Sequence, residues 1–142
     1  GALLDADRPL SAGLLLEQEA VRDPGLAAEG AECLRRAGRL QRALALNSRV
    51  PDDPERYRQR LGLLLEAQDW ERAAALSARL ERSGALRDDE VRYALAYARF
   101  RTGDGPGAER LLGPIADAGA FARATALRMA IARCAAEPAA CE

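Results

Sequence analysis

Apolar residues recur along the chain at three- and four-residue spacing, as in Leu61, Leu64 and Leu65 or Val91, Ala94, Leu95 and Ala98, which places them on one face of a helix. Asp23-Pro24, Asp53-Pro54 and Gly105-Pro106 mark helix starts, because Pro loses nothing in a first turn and Asp caps it. Gly38, Gly84, Gly103 and Gly113-Pro114 mark stops, and Pro51 forbids continuation of the helix before it. Between these marks the pattern predicts eight helices, over 8–20, 24–37, 40–49, 54–67, 70–83, 89–101, 106–113 and 119–134. The connections are short, so neighbouring helices are expected antiparallel.

Composition agrees with an all-α fold. Of 142 residues, 49% are hydrophobic and only 4% aromatic. The rest of the apolar share is mainly Ala and Leu, strong helix formers, while the β-branched residues that favour strands are scarce. The chain has no His, which excludes Ser-His and Cys-His nucleophilic pairs, paired-His zinc motifs and His general bases. Twenty-one basic residues, all Arg, stand against 22 acidic ones for a net charge of −1, leaving no positive field for nucleic acid or an anionic membrane. The absence of Lys reads as the codon bias of a GC-rich genome. No apolar run approaches the roughly 20 residues of a membrane-spanning helix. Gly1 reads as a cloning remnant and the chain as part of a longer protein.

Four segments resemble one another: Asp7-Arg8-Pro9-Leu10-Ser11-Ala12, Gly38-Arg39-Leu40-Gln41-Arg42-Ala43, Gln68-Asp69-Trp70-Glu71-Arg72-Ala73 and Gly103-Asp104-Gly105-Pro106-Gly107-Ala108. Each begins a helix five residues before an Ala, where a small side chain lets the helices of a hairpin approach closely. The period is that of helical repeats. On these residues the chain resembles the tetratricopeptide repeat family, whose turn Gln68-Asp69-Trp70-Glu71-Arg72-Ala73 and Gly103-Asp104 match; the likeness spans about residues 3–115. It departs from the family at Leu61, where a small residue is expected four positions after Tyr57, and in two shortened repeats. A second, narrower likeness runs from Ala37–Leu44 through Arg60-Leu61 and Leu65-Glu66-Ala67 to Tyr93–Tyr97. There the chain is similar to envelope tetratricopeptide proteins of Gram-negative bacteria that accompany TonB, ExbB and ExbD-type components.

These resemblances imply an α-solenoid of degenerate hairpins forming one domain over 1–142. A partial first repeat occupies 3–20, repeats follow at 24–50, 54–83 and 89–115, a capping helix at 119–134 and a tail at 135–142. They imply a non-enzymatic scaffold for a protein or peptide partner, such as a TonB-type component, in the periplasm, without cofactor, metal, nucleic acid or membrane insertion. The register places Arg35, Arg36, Arg58, Gln59, Tyr93, Tyr97, Phe100 and Arg101 along the concave groove, a mixture of Arg and aromatic residues that protein-binding surfaces favour. The alternative is that these rings are inter-helix core and the Arg a solvated face. The family's carboxylate clamp has no counterpart, since Lys is absent and the only Asn is Asn47 on a second helix.

Cys134 and Cys141 flank a Pro-containing tail and are expected to form a disulfide, which implies an oxidising compartment; the alternative is two reduced thiols, compatible with the cytoplasm. Cys33 reads as a small buried hydrophobe and Trp70 as packing between hairpins, or else as an exposed anchor for a partner. Asp52-Asp53 and Asp88-Asp89-Glu90 lie at helix starts and read as caps rather than a cation site. Two other functions compete with the scaffold. One is a structural spacer in a longer solenoid, stacking through its ends without a groove ligand; the other is an enzyme using carboxylates alone, with Glu29 or Glu66 as candidates.

Overall fold

The computed structural model describes residues 2–141, with side chains over 8–139 and at Cys141; Gly1 and Glu142, and with them the reading of Gly1 as a remnant, lie outside the described residues. The described chain is helical, without strands. Its helices are α1 (Ala2–Glu19), α2 (Ala27–Arg36), α3 (Leu40–Asn47), α4 (Asp53–Glu66), α5 (Trp70–Ala74), α6 (Ser77–Ser83), α7 (Asp89–Arg101), α8 (Gly105–Leu112) and α9 (Ala118–Ala136). Short 3-10 turns stand at Pro24–Leu26, Ala85–Arg87 and Pro138–Cys141. No helix among the described residues is long and apolar enough to cross a membrane.

Two boundaries differ from the sequence reading. The first helix does not begin at residue 8: α1 starts at Ala2 and runs through Pro9, which lacks an N–H to donate along the helix. Its small contact residue is therefore Gly13, which is buried, and not Ala12, which is exposed. The helix expected over 70–83 breaks after Ala74, where the Ser77 hydroxyl donates to the Ala74 carbonyl at 2.6 Å and accepts from Arg99 Nη2 at 2.8 Å. A serine hydroxyl competing for a helix carbonyl bends the ladder there.

The helices gather into two compact units, one ending at Ala67 and one beginning at Gln68. In the first, α1 packs on α2, α2 on α3, and both α2 and α3 on α4. The approach is close because two positions carry no side chain. A Cβ at Gly13 would lie 2.9 Å from Leu34 Cγ, and one at Gly30 2.7 Å from Leu46 Cδ2 and 3.0 Å from Leu16 Cβ. Leu34, Leu61, Leu63 and Leu64 are buried in this unit, each contributing about 1.5–3 kcal/mol by leaving water. Asn47 is fully buried among them and satisfied: Nδ2 donates to the Arg56 carbonyl at 3.0 Å and to Gln59 Oε1 at 2.9 Å, and Oδ1 accepts from Arg60 Nη1 at 3.4 Å. In the second unit α7 is central, packing on α5, α8 and α9. Its core joins Ala96, Ala108, Leu112, Ile115, Ala120, Ala124 and Leu127.

One turn recurs three times. A helix ends at Ala37, Ala67 or Thr102 with ψ near zero, at 2°, −5° and 2°. A left-handed residue follows, Gly38 (φ 76°), Gln68 (φ 57°) or Gly103 (φ 89°). Then Arg39, Asp69 or Asp104 opens the next helix with ψ of 64°, 73° and 70°. Asp69 and Asp104 cap the following N–H groups with their carboxylates, while Arg39 makes no side-chain cap. Ala43, Ala73 and Ala108 each stand at the fourth position of the new helix, and all three are fully buried. Glycine suits the left-handed step without steric cost; Gln68 adopts it against its preference.

Candidate functional site

The residues expected to line a groove fall into both units, and each group has its own environment. In the first, Arg35 is half-buried and bridges two carboxylates, with Nη2 on Glu32 Oε1 at 2.7 Å and Nη1 on Glu66 Oε2 at 3.2 Å. The hydrogen bonds that Arg35 donates to Glu32, and then those to Glu66, hold its guanidinium charged and raise its pKa, and the same contact with Arg35 lowers that of Glu32. Gln59 is half-buried and uses both ends of its amide internally: Nε2 donates to the Ala28 carbonyl at 2.7 Å and Oε1 accepts from Asn47. Arg36 and Arg58 are exposed. Of the two carboxylates considered for catalysis, Glu29 is exposed in the first turn of α2 and Glu66 holds Arg35.

In the second unit Tyr93, Tyr97, Phe100 and Arg101 share one face of α7 by their spacing. The three rings are half-buried against the core. Trp70, also half-buried, meets Tyr97 edge-on at a centroid distance of 5.5 Å, and Tyr93 follows 6.5 Å from Tyr97. Cations cover this row: Arg101 lies 4.8 Å over Trp70 and Arg123 5.1 Å over Tyr93. Arg101 Nη1 also reaches the Tyr97 hydroxyl at 3.5 Å. Arg123 donates to Glu90 as well, and that contact raises its pKa. The arrangement is a strip of rings and guanidiniums, in which one face of Arg101 stacks on Trp70 and Arg101 makes no ion pair with a carboxylate among the described residues.

Beyond Phe100 and Arg101 opens a cleft of about 830 Å³. Gly103, Gly105 and Pro106 form its wall at the start of α8, Ala130 and Ile131 its wall on α9, and Cys134 with Cys141 its end. The Cys134 and Cys141 sulfurs lie at disulfide distance, with Cα atoms 5.5 Å apart, so the chain turns back over the end of α9. Cys33, expected to be buried, is half-buried and unpaired. Sequence reasoning missed this cleft because it exists only once the end of α9 meets the turn between α7 and α8. The signal within reach was the Cys pair beside Ile131 on the last helix.

The acidic clusters serve the helix starts and neighbouring guanidiniums. Asp52 accepts from Glu55 N at 3.1 Å, Asp88 from Glu90 N at 2.9 Å, and Asp53 pairs with Arg56 at 2.7 Å. Asp89 reaches further, taking the N–H groups of Ala116 at 3.1 Å and Asp117 at 2.9 Å, and these backbone bonds hold its pKa below the usual aspartate range. Asp89 thus anchors the entry to α9.

No family model matches the chain, and neither curated proteins nor solved structures contain a match to it.

Proposed function

We propose that the chain is a non-enzymatic scaffold of tetratricopeptide-like helix hairpins that binds another protein, in an oxidising envelope compartment of a Gram-negative bacterium. The observation that carries the reading is the turn repeated at 38–43, 68–73 and 103–108, with the same backbone path and the same buried Ala. Repeated hairpins that bury one face through small residues present the other to a partner, which is how helical solenoids work. The contacts assigned to the partner are Arg36 and Arg58 in the first unit and Arg101 with the Tyr93, Tyr97 and Phe100 strip in the second. Rigid rings bury area at little entropic cost and a guanidinium pairs with carboxylate in a fork. A TonB-type envelope component is the partner class that the sequence likeness suggests. The sulfurs of Cys134 and Cys141 at disulfide distance support a periplasmic address over a cytoplasmic one.

The test is capture by the full-length protein in native cells. Arg58→Glu with Arg101→Glu should remove a specific partner from the cross-linked complex while circular dichroism stays unchanged; unchanged capture would eliminate these residues. A structural spacer remains the second reading, favoured by apolar side chains left exposed on α9, Phe121 at 50% and Met129 at 63%. Sedimentation velocity separates the two: self-association that rises with concentration and is abolished by Phe121→Ser with Met129→Ser supports the spacer.

A further inference from the structure

We propose that the open cleft lined by α7, α8 and α9 is a binding site for an amphipathic carboxylate, a single-headed anion on an aliphatic chain. The cleft is open to solvent on one side, and its volume, about 830 Å³, lies in the range of small-molecule sites. Phe100, Pro106, Ala130 and Ile131 give it apolar walls that would take a hydrocarbon chain. The charges at its margin are unequal. Among the described residues Glu109 is the one carboxylate of the lining, and Arg128 pairs with it at 3.3 Å. Arg101 and Arg133 also line the cleft, and neither is paired with a carboxylate among the described residues. Arg101 stacks over Trp70 and its Nη1 approaches the Tyr97 hydroxyl, contacts that orient part of the guanidinium before a ligand arrives. Two unpaired guanidiniums beside an apolar cavity complement a carboxylate head and a hydrocarbon tail, and disfavour a neutral or cationic head. Cys141, in the returning turn, closes one end of the cleft.

The structure also supplies a reporter, since Trp70, the only Trp in the chain, lies under Arg101. Titration of the oxidised protein with dodecanoate below its micellar range, followed by Trp70 emission and by calorimetry, should give saturable one-to-one binding. Dodecanol and dodecyltrimethylammonium should bind at least about tenfold more weakly, the worth of a charge-assisted hydrogen bond. Arg101→Gln with Arg133→Gln should weaken dodecanoate by about tenfold or more and leave dodecanol unchanged, read by calorimetry because the first substitution alters the Trp70 environment. Equal binding of the three amphiphiles, undiminished dodecanoate binding by the double variant, or no saturable binding would each overturn the proposal. So would binding of a Leu-rich, Glu-flanked peptide with none of dodecanoate, which would make the cleft a protein-docking site.

Discussion

Two Gly→Ala substitutions in the same unit should change stability in opposite directions. Gly62 lies inside α4, exposed, and a Cβ there would meet nothing within 4 Å. Ala at this position removes the entropic penalty of glycine in a helix, so Gly62→Ala should stabilise by about 0.5–1 kcal/mol. Gly30 lies inside α2 and carries the same propensity argument, but its Cβ would fall 2.7 Å from Leu46 Cδ2 and 3.0 Å from Leu16 Cβ. Leu46 is itself buried, and Leu16 Cβ is fixed to the backbone of α1, so neither can simply turn aside. Overpacking of this kind costs about 1–3 kcal/mol, which outweighs the helix gain and leaves Gly30→Ala destabilising by about 1 kcal/mol. Urea unfolding followed by circular dichroism, with the slope held common, measures both. If Gly30→Ala stabilises as much as Gly62→Ala, α1, α2 and α3 are not in the contact described, and the packing of the first unit is wrong.

Gln68→Gly relieves the left-handed strain that Gly38 and Gly103 avoid, and should raise stability by about 0.5 kcal/mol in the same assay. Asn47→Ala strands the Gln59 oxygen and the Arg56 carbonyl in the core and should cost about 2–4 kcal/mol, a loss visible as an earlier urea midpoint. The folded-state pKa values of Asp89 and Asp104 are lowered, by the N–H groups of Asp117 and Ala116 for the first and by the Gly107 N–H with Arg99 for the second. The unfolded chain therefore takes up these protons first. Their stabilisation is complete above the ordinary aspartate value of about 3.9 and is lost as pH falls from there through the folded-state values. Unfolding free energy measured between neutral and acid pH should decline over that window, and Asp89→Asn should flatten the decline.

The helical class and most helix ranges were legible because Ala, Leu and Arg repeat at helical spacing and Gly or Asp-Pro punctuates them. The turn before Ala43, Ala73 and Ala108 was also legible, as Gly or a polar residue ahead of a new helix, whereas the left-handed step at Gln68 was not. The segment 7–12 was misaligned with the other three because Pro9 looks like a helix start, whereas α1 is already under way; the small residue that matters is then Gly13, one place beyond Ala12. The break after Ala74 was missed because Ser77 does not stand out within 70–83; its hydroxyl takes the Ala74 carbonyl and is itself met by Arg99 of α7. Gln59 looked like a groove residue because its spacing is that of Arg58's neighbour, but its amide answers Asn47 across the core. A lone Asn within the apolar run Ala43, Leu44, Leu46, Val50 was the available clue. The cleft beside Cys134 was not read, since it forms only where the end of α9 folds back against the turn between α7 and α8, and the Cys pair beside Ile131 was the one hint of it.

The claim that this chain presents Arg and aromatic side chains to a protein partner is tested most directly by photo-crosslinking in native cells. A benzophenone amino acid would replace Arg58 or Arg101 in the full-length protein, with Gln41 and Arg79, exposed on α3 and α6, as controls. The account predicts one and the same partner adduct from positions 58 and 101, identified by mass spectrometry, and none from 41 or 79. An adduct from the control positions alone, or none from 58 and 101, would contradict it.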